Sequence, residues 1–427
     1  MHTIYLDHAA TTPMDPRVVE VMQPYFIDVA GNPSSFHTVG LRAKEAVTEA
    51  RQTIARLLSA REDEILFTSG GTESDNLAVM GIVKAQRQAI LSFCHSRAGG
   101  NPSDGSPGLR FATPEDDKKP HVMTSAIEHH AVLEPLLHLQ KIGEIELTVL
   151  PVNREGLVAI KDVRTALKLS TVLVSIMFAN NEIGTIEPIA DIGREILAWR
   201  KEHITPYPLF HTDACQAAGA IELNVEKLHV DLLTMNGSKI YGPKGVGILY
   251  IRRGIKIEPL MRGGGQERNI RSGTENVPAI VGLAKAFELV QENRETENAR
   301  LIKLRDRLAE GLLKIPKTRF NGHPTDRLPN CVNISFMDIE GEAAMLYLDA
   351  QGIMISTGSA CASSSLDPSH VILATGLSYE AAHGSLRFSL GHSTTKEDVD
   401  FVIAVMPKIV ERLRQMSPVN LDMKYFN

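Results

Sequence analysis

Val230-Asp-Leu-Leu-Thr-Met-Asn-Gly-Ser-Lys-Ile-Tyr-Gly-Pro-Lys-Gly-Val-Gly-Ile-Leu-Tyr-Ile251 reads as two short apolar strands, 230–235 and 246–251, joined by a turn that carries Lys239. Solvation at the surface is the default for a lysine. Gly237 and Gly242, however, are needed only where the backbone turns tightly beside it. The same format recurs upstream. Leu209-Phe-His-Thr-Asp213 is a strand that ends in a carboxylate, with Gln216 following, and Glu64-Ile-Leu-Phe-Thr68 runs into Ser69-Gly-Gly-Thr72. Further strands are expected at 121–125, 146–151 and 171–178. Residues 41–58 place Val47, Ala50, Ile54, Leu57 and Leu58 on one helical face. Short, nearly continuous apolar strands alternating with helices predict an α/β fold with a mostly parallel sheet covered on both faces.

Bulk properties narrow the function classes. The chain has 427 residues, 43% of them hydrophobic and 22% charged, as expected of a globular protein long enough for two domains. Its formal charge of −6 provides no basic field for nucleic acid or an anionic membrane. No apolar run is long enough to span a bilayer, and Met1-His-Thr-Ile-Tyr-Leu-Asp-His8 is not an export signal, so a cytoplasmic location is expected. Four cysteines, at 94, 215, 331 and 361, fit neither a disulfide scaffold nor a closed zinc site. No metal site is expected; the adjacent Cys94 and His95 lack further ligands. Residues 88–119, rich in Gly, Pro, Ser and charge, read as a surface insertion. After about residue 265, long charged helices at 276–315 and 396–416 flank alternating segments such as Cys331-Val-Asn-Ile-Ser-Phe336, which predicts a smaller α+β unit.

The chemistry lies at the strand ends, where an open α/β sheet binds its ligands. Ser69-Gly-Gly-Thr72 opens a helix; alone it is a helix cap, but its free N–H groups and the Thr72 hydroxyl suit a phosphate. Asp213 is likewise either a cap or a carboxylate aimed into the crevice. A lysine, a carboxylate and a phosphate-binding turn on successive strand ends match the needs of pyridoxal 5'-phosphate: a covalent anchor, a partner for the protonated ring nitrogen, and an anion site. His129, which follows another strand, is placed to stack on the ring. Cys361 sits in Ser356-Thr-Gly-Ser-Ala-Cys-Ala-Ser-Ser-Ser365, with no aliphatic neighbour to bury it, so it reads as a thiol on a loop that swings.

From Tyr5-Leu-Asp-His-Ala-Ala-Thr-Thr-Pro13 to about Met416 the chain resembles the cysteine desulfurases of the class V aminotransferase type, in the branch that supplies sulfur for iron–sulfur clusters. The motifs are Gly31-Asn-Pro-Ser, Phe67-Thr-Ser-Gly-Gly-Thr-Glu-Ser74, Asn180-Asn-Glu-Ile-Gly184, Lys239-Ile-Tyr-Gly-Pro-Lys-Gly245, Gly263-Gly-Gly-Gln-Glu-Arg268, Arg271-Ser-Gly-Thr274 and Ser385-Leu-Arg-Phe-Ser-Leu-Gly391. The resemblance implies fold type I of the pyridoxal-phosphate enzymes, with a seven-stranded large domain at 17–265 and a small domain formed by 1–16 and 266–427. It implies that Lys239 binds the cofactor covalently and later shuttles the substrate Cα proton. Gly71, Thr72, Asn236 and Ser238 would hold the phosphate, Asp213 the ring nitrogen and Gln216 the ring hydroxyl. His129 would stack on the ring, Asn181 and Arg387 would hold the carboxylate of L-cysteine, and Cys361 would accept its sulfur as a persulfide, releasing L-alanine. Thr274 would reach the phosphate of a neighbouring subunit, which makes the protein a homodimer.

The sulfur would pass to acceptor proteins such as an iron–sulfur scaffold, with transfer RNA thiolation as a further outlet. Selenocysteine lyase, plain transaminase and a catalytically idle sulfur-transfer partner are the alternatives. Three departures from the family pattern stand out. Ser238 replaces the usual histidine, so altered cofactor binding is expected; the 88–119 insertion has no counterpart; and the end, Ser417-Pro-Val-Asn-Leu-Asp-Met-Lys-Tyr-Phe-Asn427, is divergent in the stretch that docks the scaffold in relatives.

Overall fold

The computed structural model describes residues 3–98, 119–357, 367–418 and 420–421. Cys361, most of the 88–119 insertion and most of the final stretch lie outside the described residues, as do the side chains of Cys94 and His95. The strands, in chain order, are β1 (Ile4–Tyr5), β2 (Ile65–Thr68), β3 (His121–Ser125), β4 (Glu146–Leu150), β5 (Thr171–Ser175), β6 (Leu209–Asp213), β7 (Leu232–Asn236) and β8 (Gly247–Ile251). They are followed by β9 (Thr318–Asn321), β10 (Cys331–Phe336), β11 (Ile353–Met354) and β12 (Ser385–Ser389). β2 to β8 form one seven-stranded sheet in the order β2-β8-β7-β6-β5-β3-β4. Within it β8 runs antiparallel to both neighbours and every other pairing is parallel. The mostly parallel α/β sheet expected from the strand pattern is what forms.

Alternation along the strands sorts side chains between the two covering layers. Phe210, Leu233 and Ile248 enter the core beneath the helices Thr38–Leu58, Ile189–His203 and Val277–Leu312. Leu209, Leu232 and Leu249 face the other way, onto Leu77, Ile82, Val132 and Leu136 of the helices Gly71–Ala98 and His130–Lys141. The former helix continues through the expected start of the insertion, because its packing on the sheet is already established by residue 83. Parity has a consequence for the site. His211 and Asp213 share the face of Leu209, and Thr234 shares that of Leu232, so all three point toward the helix that begins at Gly71.

A second core gathers Leu6, Leu308, Ile334, Leu348, Phe388 and Val402, drawn from both ends of the chain. It covers the antiparallel sheet β12-β10-β9 and the parallel pair β1-β11. The helix Val277–Leu312 belongs to both cores. Ile280, Leu283 and Phe287 pack in the first, Leu301, Leu304 and Leu308 in the second, so one rigid rod sets the spacing of the two sheets. No described helix is long and apolar enough to cross a membrane.

Phe287 is fully buried where the rod meets the large core. Phe287→Ala is expected to destabilise the protein by about 3–5 kcal/mol, read as a lowered denaturant midpoint at an unchanged slope.

Candidate active site

Because β2 and β7 both run antiparallel to β8, they are parallel to each other, and the carboxyl ends of β2, β7, β6, β5 and β3 all meet at one edge of the sheet. Lys239 lies in the turn Gly237–Lys239, directly after β7. Its Nζ donates to the carbonyls of Ala9, at 2.9 Å, and Ala10. Gln216 Nε2 donates to the same Ala9 carbonyl at 3.0 Å. Asp213 closes β6, is buried, and accepts the Cys215 N–H on Oδ1 at 2.8 Å.

His129 caps the helix His130–Lys141, its Nδ1 accepting from Ala131 N at 3.1 Å, which leaves the proton of the neutral ring on Nε2. Burial lowers the His129 pKa; the Lys239 charge adds to this and the Asp213 charge opposes it. These opposing influences show that the three groups share one electrostatic neighbourhood.

Gly71 begins its helix at the turn after β2, with the backbone donors of the first turn free of intrahelical partners. A Cβ at this position would lie 2.8 Å from Cys215 Sγ and 3.1 Å from Asn236 Nδ2, so only glycine lets the turn pass this close to those two side chains. Glu73 in the same turn accepts from Ser69 N at 2.7 Å and from Arg271 Nε at 2.8 Å, tying the turn to the loop that bears Thr274. Thr274 itself is exposed, and Ser238 Oγ reaches only Asn236 Oδ1, at 3.4 Å. Arg387, buried on β12, donates through Nη2 to Asp7 Oδ1 at 2.8 Å and through Nη1 to the Asn181 carbonyl at 3.0 Å. Its Nε is buried without an acceptor. The structure thus brings Lys239, Asp213, Gln216, His129, Gly71, Thr72 and Asn236 to one sheet edge, with Arg387 and Asn181 beside it.

Sequence reasoning missed a layer of buried acids beneath these residues. Asp75, one turn into the Gly71 helix, is 1% exposed, with Oδ1 unpartnered and 3.7 Å from His211 Nε2. Burial, reinforced by the Asp213 charge, raises its pKa well above the ordinary carboxylate range. Burial drives His211 down to about 4, and its ring nitrogens bond to the hydroxyls of Ser175 (2.8 Å) and Thr234 (3.1 Å). Glu128, adjacent to His129, is pushed up to about 8 by burial, although Ser125 Oγ and Met177 N both bond its Oε1. Charged residues inside apolar periodicity were the available signal.

The family described as Aminotransferase class-V matches residues 4–99 and 111–402. The chain belongs to the class V aminotransferase family. Within it, the chain is 51% identical over 416 residues to "Cysteine desulfurase IscS" of Methanosarcina thermophila, covering 97% of this chain and 94% of that protein. A solved "NIFS-like protein" superposes with a TM-score of 0.83 at 35% identity, covering 96% of this chain and all of the other. A structure titled "SspA in complex with cysteine" gives 0.71 at 34% identity, with 91% and 99% covered. The chain is a class V enzyme of the cysteine desulfurase branch, and its cofactor is pyridoxal 5'-phosphate.

The residues present fit that cofactor. The helix that begins at Gly71 presents its first-turn N–H groups at the end of β2, as an anionic group requires. The Lys239 amine rests on carbonyls, and Asp213 stands at an adjacent strand end. Gly71→Ala is expected to weaken cofactor affinity at least tenfold, measured by fluorescence titration of the apoprotein, since the methyl would clash with Cys215 and Asn236 and displace the turn. A second outcome follows from Glu128, which burial pushes up to about 8 from the ordinary glutamate value of 4.5. Between these values the folded state binds more protons than the unfolded, so this group's contribution to stability falls as pH rises through that window. Glu128→Gln should therefore raise the melting temperature relative to wild type more at pH 8 than at pH 5.

Proposed function

We propose that the protein removes sulfur from L-cysteine onto Cys361, releasing L-alanine, and passes it to acceptor proteins for iron–sulfur cluster assembly. One observation carries this reading. Ser356 and Arg387 exchange backbone hydrogen bonds, Ser356 N to Arg387 O at 3.2 Å and Arg387 N to Ser356 O at 2.8 Å. The segment bearing Cys361 therefore departs from beside the residue to which this reading gives the substrate carboxylate. Four peptide units separate Thr357 from Cys361, a tether of at most about 14 Å. A thiol so anchored remains within range of whatever the arginine holds.

The bound cofactor supplies an electron sink that acidifies the Cα–H of an amino acid. The chain's own residues do the rest. Lys239 would anchor the cofactor and then take and return the Cα proton on Nζ; Asp213 would keep a proton on the ring nitrogen; and His129 would contact the ring. Arg387, with Asn181, orients the substrate carboxylate, a task suited to a planar fork of donors. The Cys361 thiolate attacks the substrate sulfur. A sulfur–sulfur bond forms as the carbon–sulfur bond breaks, the electron pair stays on the β-carbon, and that carbon takes a proton to give the methyl of alanine.

A homodimer fits the surface. Phe26, Ile27, Phe36 and Leu41 are exposed, Phe36 at 93%, beside the helix Thr38–Leu58. A second copy of this chain would cover them and receive the exposed Thr274 at its cofactor phosphate. Cys361→Ser is expected to abolish alanine formation from cysteine while leaving the cofactor absorbance intact. Continued catalytic turnover of that variant would overturn the assignment.

A further inference from the structure

Both ends of the Cys361 segment come back to the same two-residue turn, Asn181–Glu182. The amino-terminal end does so through Ser356 and Arg387, since the Arg387 guanidinium bonds the Asn181 carbonyl. The carboxyl-terminal end does so through Ser369, the cap of the helix His370–Ala374, whose hydroxyl donates to Glu182 Oε2 while accepting from Val371 N at 3.1 Å.

Glu182 is an unusual anchor, a carboxylate only 6% exposed. Its backbone is fixed on both sides. Asn180 Oδ1 accepts from Glu182 N at 2.8 Å and Ile183 N at 2.9 Å, while Asn333 Nδ2 and Cys331 Sγ donate to its carbonyl at 3.1 and 3.4 Å. A buried side chain on so fixed a backbone has few positions open to it, so its bond to Ser369 costs less ordering entropy than at the surface. Among the described residues the basic group influencing the carboxylate is Arg387; burial pushes the Glu182 pKa up to about 7, with Ser369 and Arg387 holding it down. Arg387 is thus shared between Asp7, the Asn181 carbonyl and the field of Glu182.

We propose that Glu182 is a positioning residue: it clamps Ser369, the base of the Cys361 segment, to the turn that also holds the substrate-carboxylate arginine, and so fixes the thiol's tether relative to the substrate sulfur. The proposal rests on the assignment of Arg387 and Cys361 given above. It makes sulfur transfer, rather than cofactor or cysteine binding, the step that depends on Glu182. A clamp on one end of a short tether raises the effective concentration of the group it carries, which is lost once the end is released.

The experiment uses the holoenzyme and measures three quantities: the cofactor absorbance, cysteine binding from the spectral change on mixing, and the single-turnover rate of persulfide formation on Cys361. Glu182→Ala and Ser369→Ala should each slow persulfide formation by roughly tenfold or more, with cofactor absorbance retained and the apparent cysteine constant within about twofold of wild type. The double variant should be no slower than the worse single, because both remove the same bond. Glu182→Gln, which can still accept from the Ser369 hydroxyl, should recover most of the rate. The proposal is overturned if Glu182→Ala forms persulfide within twofold of wild type. It also fails if both Glu182 variants lose cofactor absorbance together with rate, because Glu182 would then only support the fold. Failure of the underlying assignment shows separately, as wild-type turnover without any persulfide on Cys361.

Discussion

Residues 7–15 hold the molecule's two halves in a single relation, and the site exists only because they do. Asp7 pairs with Arg387, and His8 N donates to the Ser389 carbonyl at 3.2 Å, fixing the segment to the edge of the small sheet. One residue further on, the carbonyls of Ala9 and Ala10 receive the Lys239 ammonium, and Ala9 also receives Gln216. Thr12 N then donates to the Ser238 carbonyl at 2.8 Å, and Thr12 Oγ1 accepts from Tyr241 N at 2.8 Å, tying down both sides of the lysine turn. Lys239 follows a strand of the large sheet and Arg387 lies on the small one, and this strap of backbone sets the distance between them. A displacement of the strap would misplace both, and small errors of position are costly at a reacting centre.

Around that strap the protein keeps several ionisable groups in uncharged form. Asp75 and Glu128 have raised pKa values and His129 and His211 lowered ones, in each case chiefly through burial. Burial and the Asp213 charge both push Asp75 toward its protonated form, which opposes two negative charges in one dry pocket. Asp213, Lys239 and Arg387 each have partners that fix their direction.

The mainly parallel sheet and its seven strands were legible because each strand is a short apolar run whose period does not depend on distant residues. Lys239, Asp213 and Gly71 were legible for a related reason: each lies within a few residues of a strand end, and strand ends in such a sheet share one edge. Asp75 was hard to read, since an aspartate that close to a helix start, beside Glu73, reads as a dipole-favoured surface group. Only the parity of β6 and β7, set by the sheet's register, turns it toward His211 and Thr234. Glu182 was hidden in the same way inside Asn180-Asn-Glu-Ile-Gly184, its partner Ser369 lying far along the chain.

By itself the sequence determined the strands, the turns that follow them and the chemistry each turn carries, because those depend on local periodicity and on backbone restrictions at glycine. Tertiary structure alone decided which turns meet. Asp7 reaches Arg387, Ala9 reaches Lys239, and Ser356 places the root of the Cys361 segment beside the arginine, all through contacts between residues remote in the chain. Such contacts pay their loop-closure entropy only once both cores have formed around the shared helix Val277–Leu312, and no local pattern encodes that.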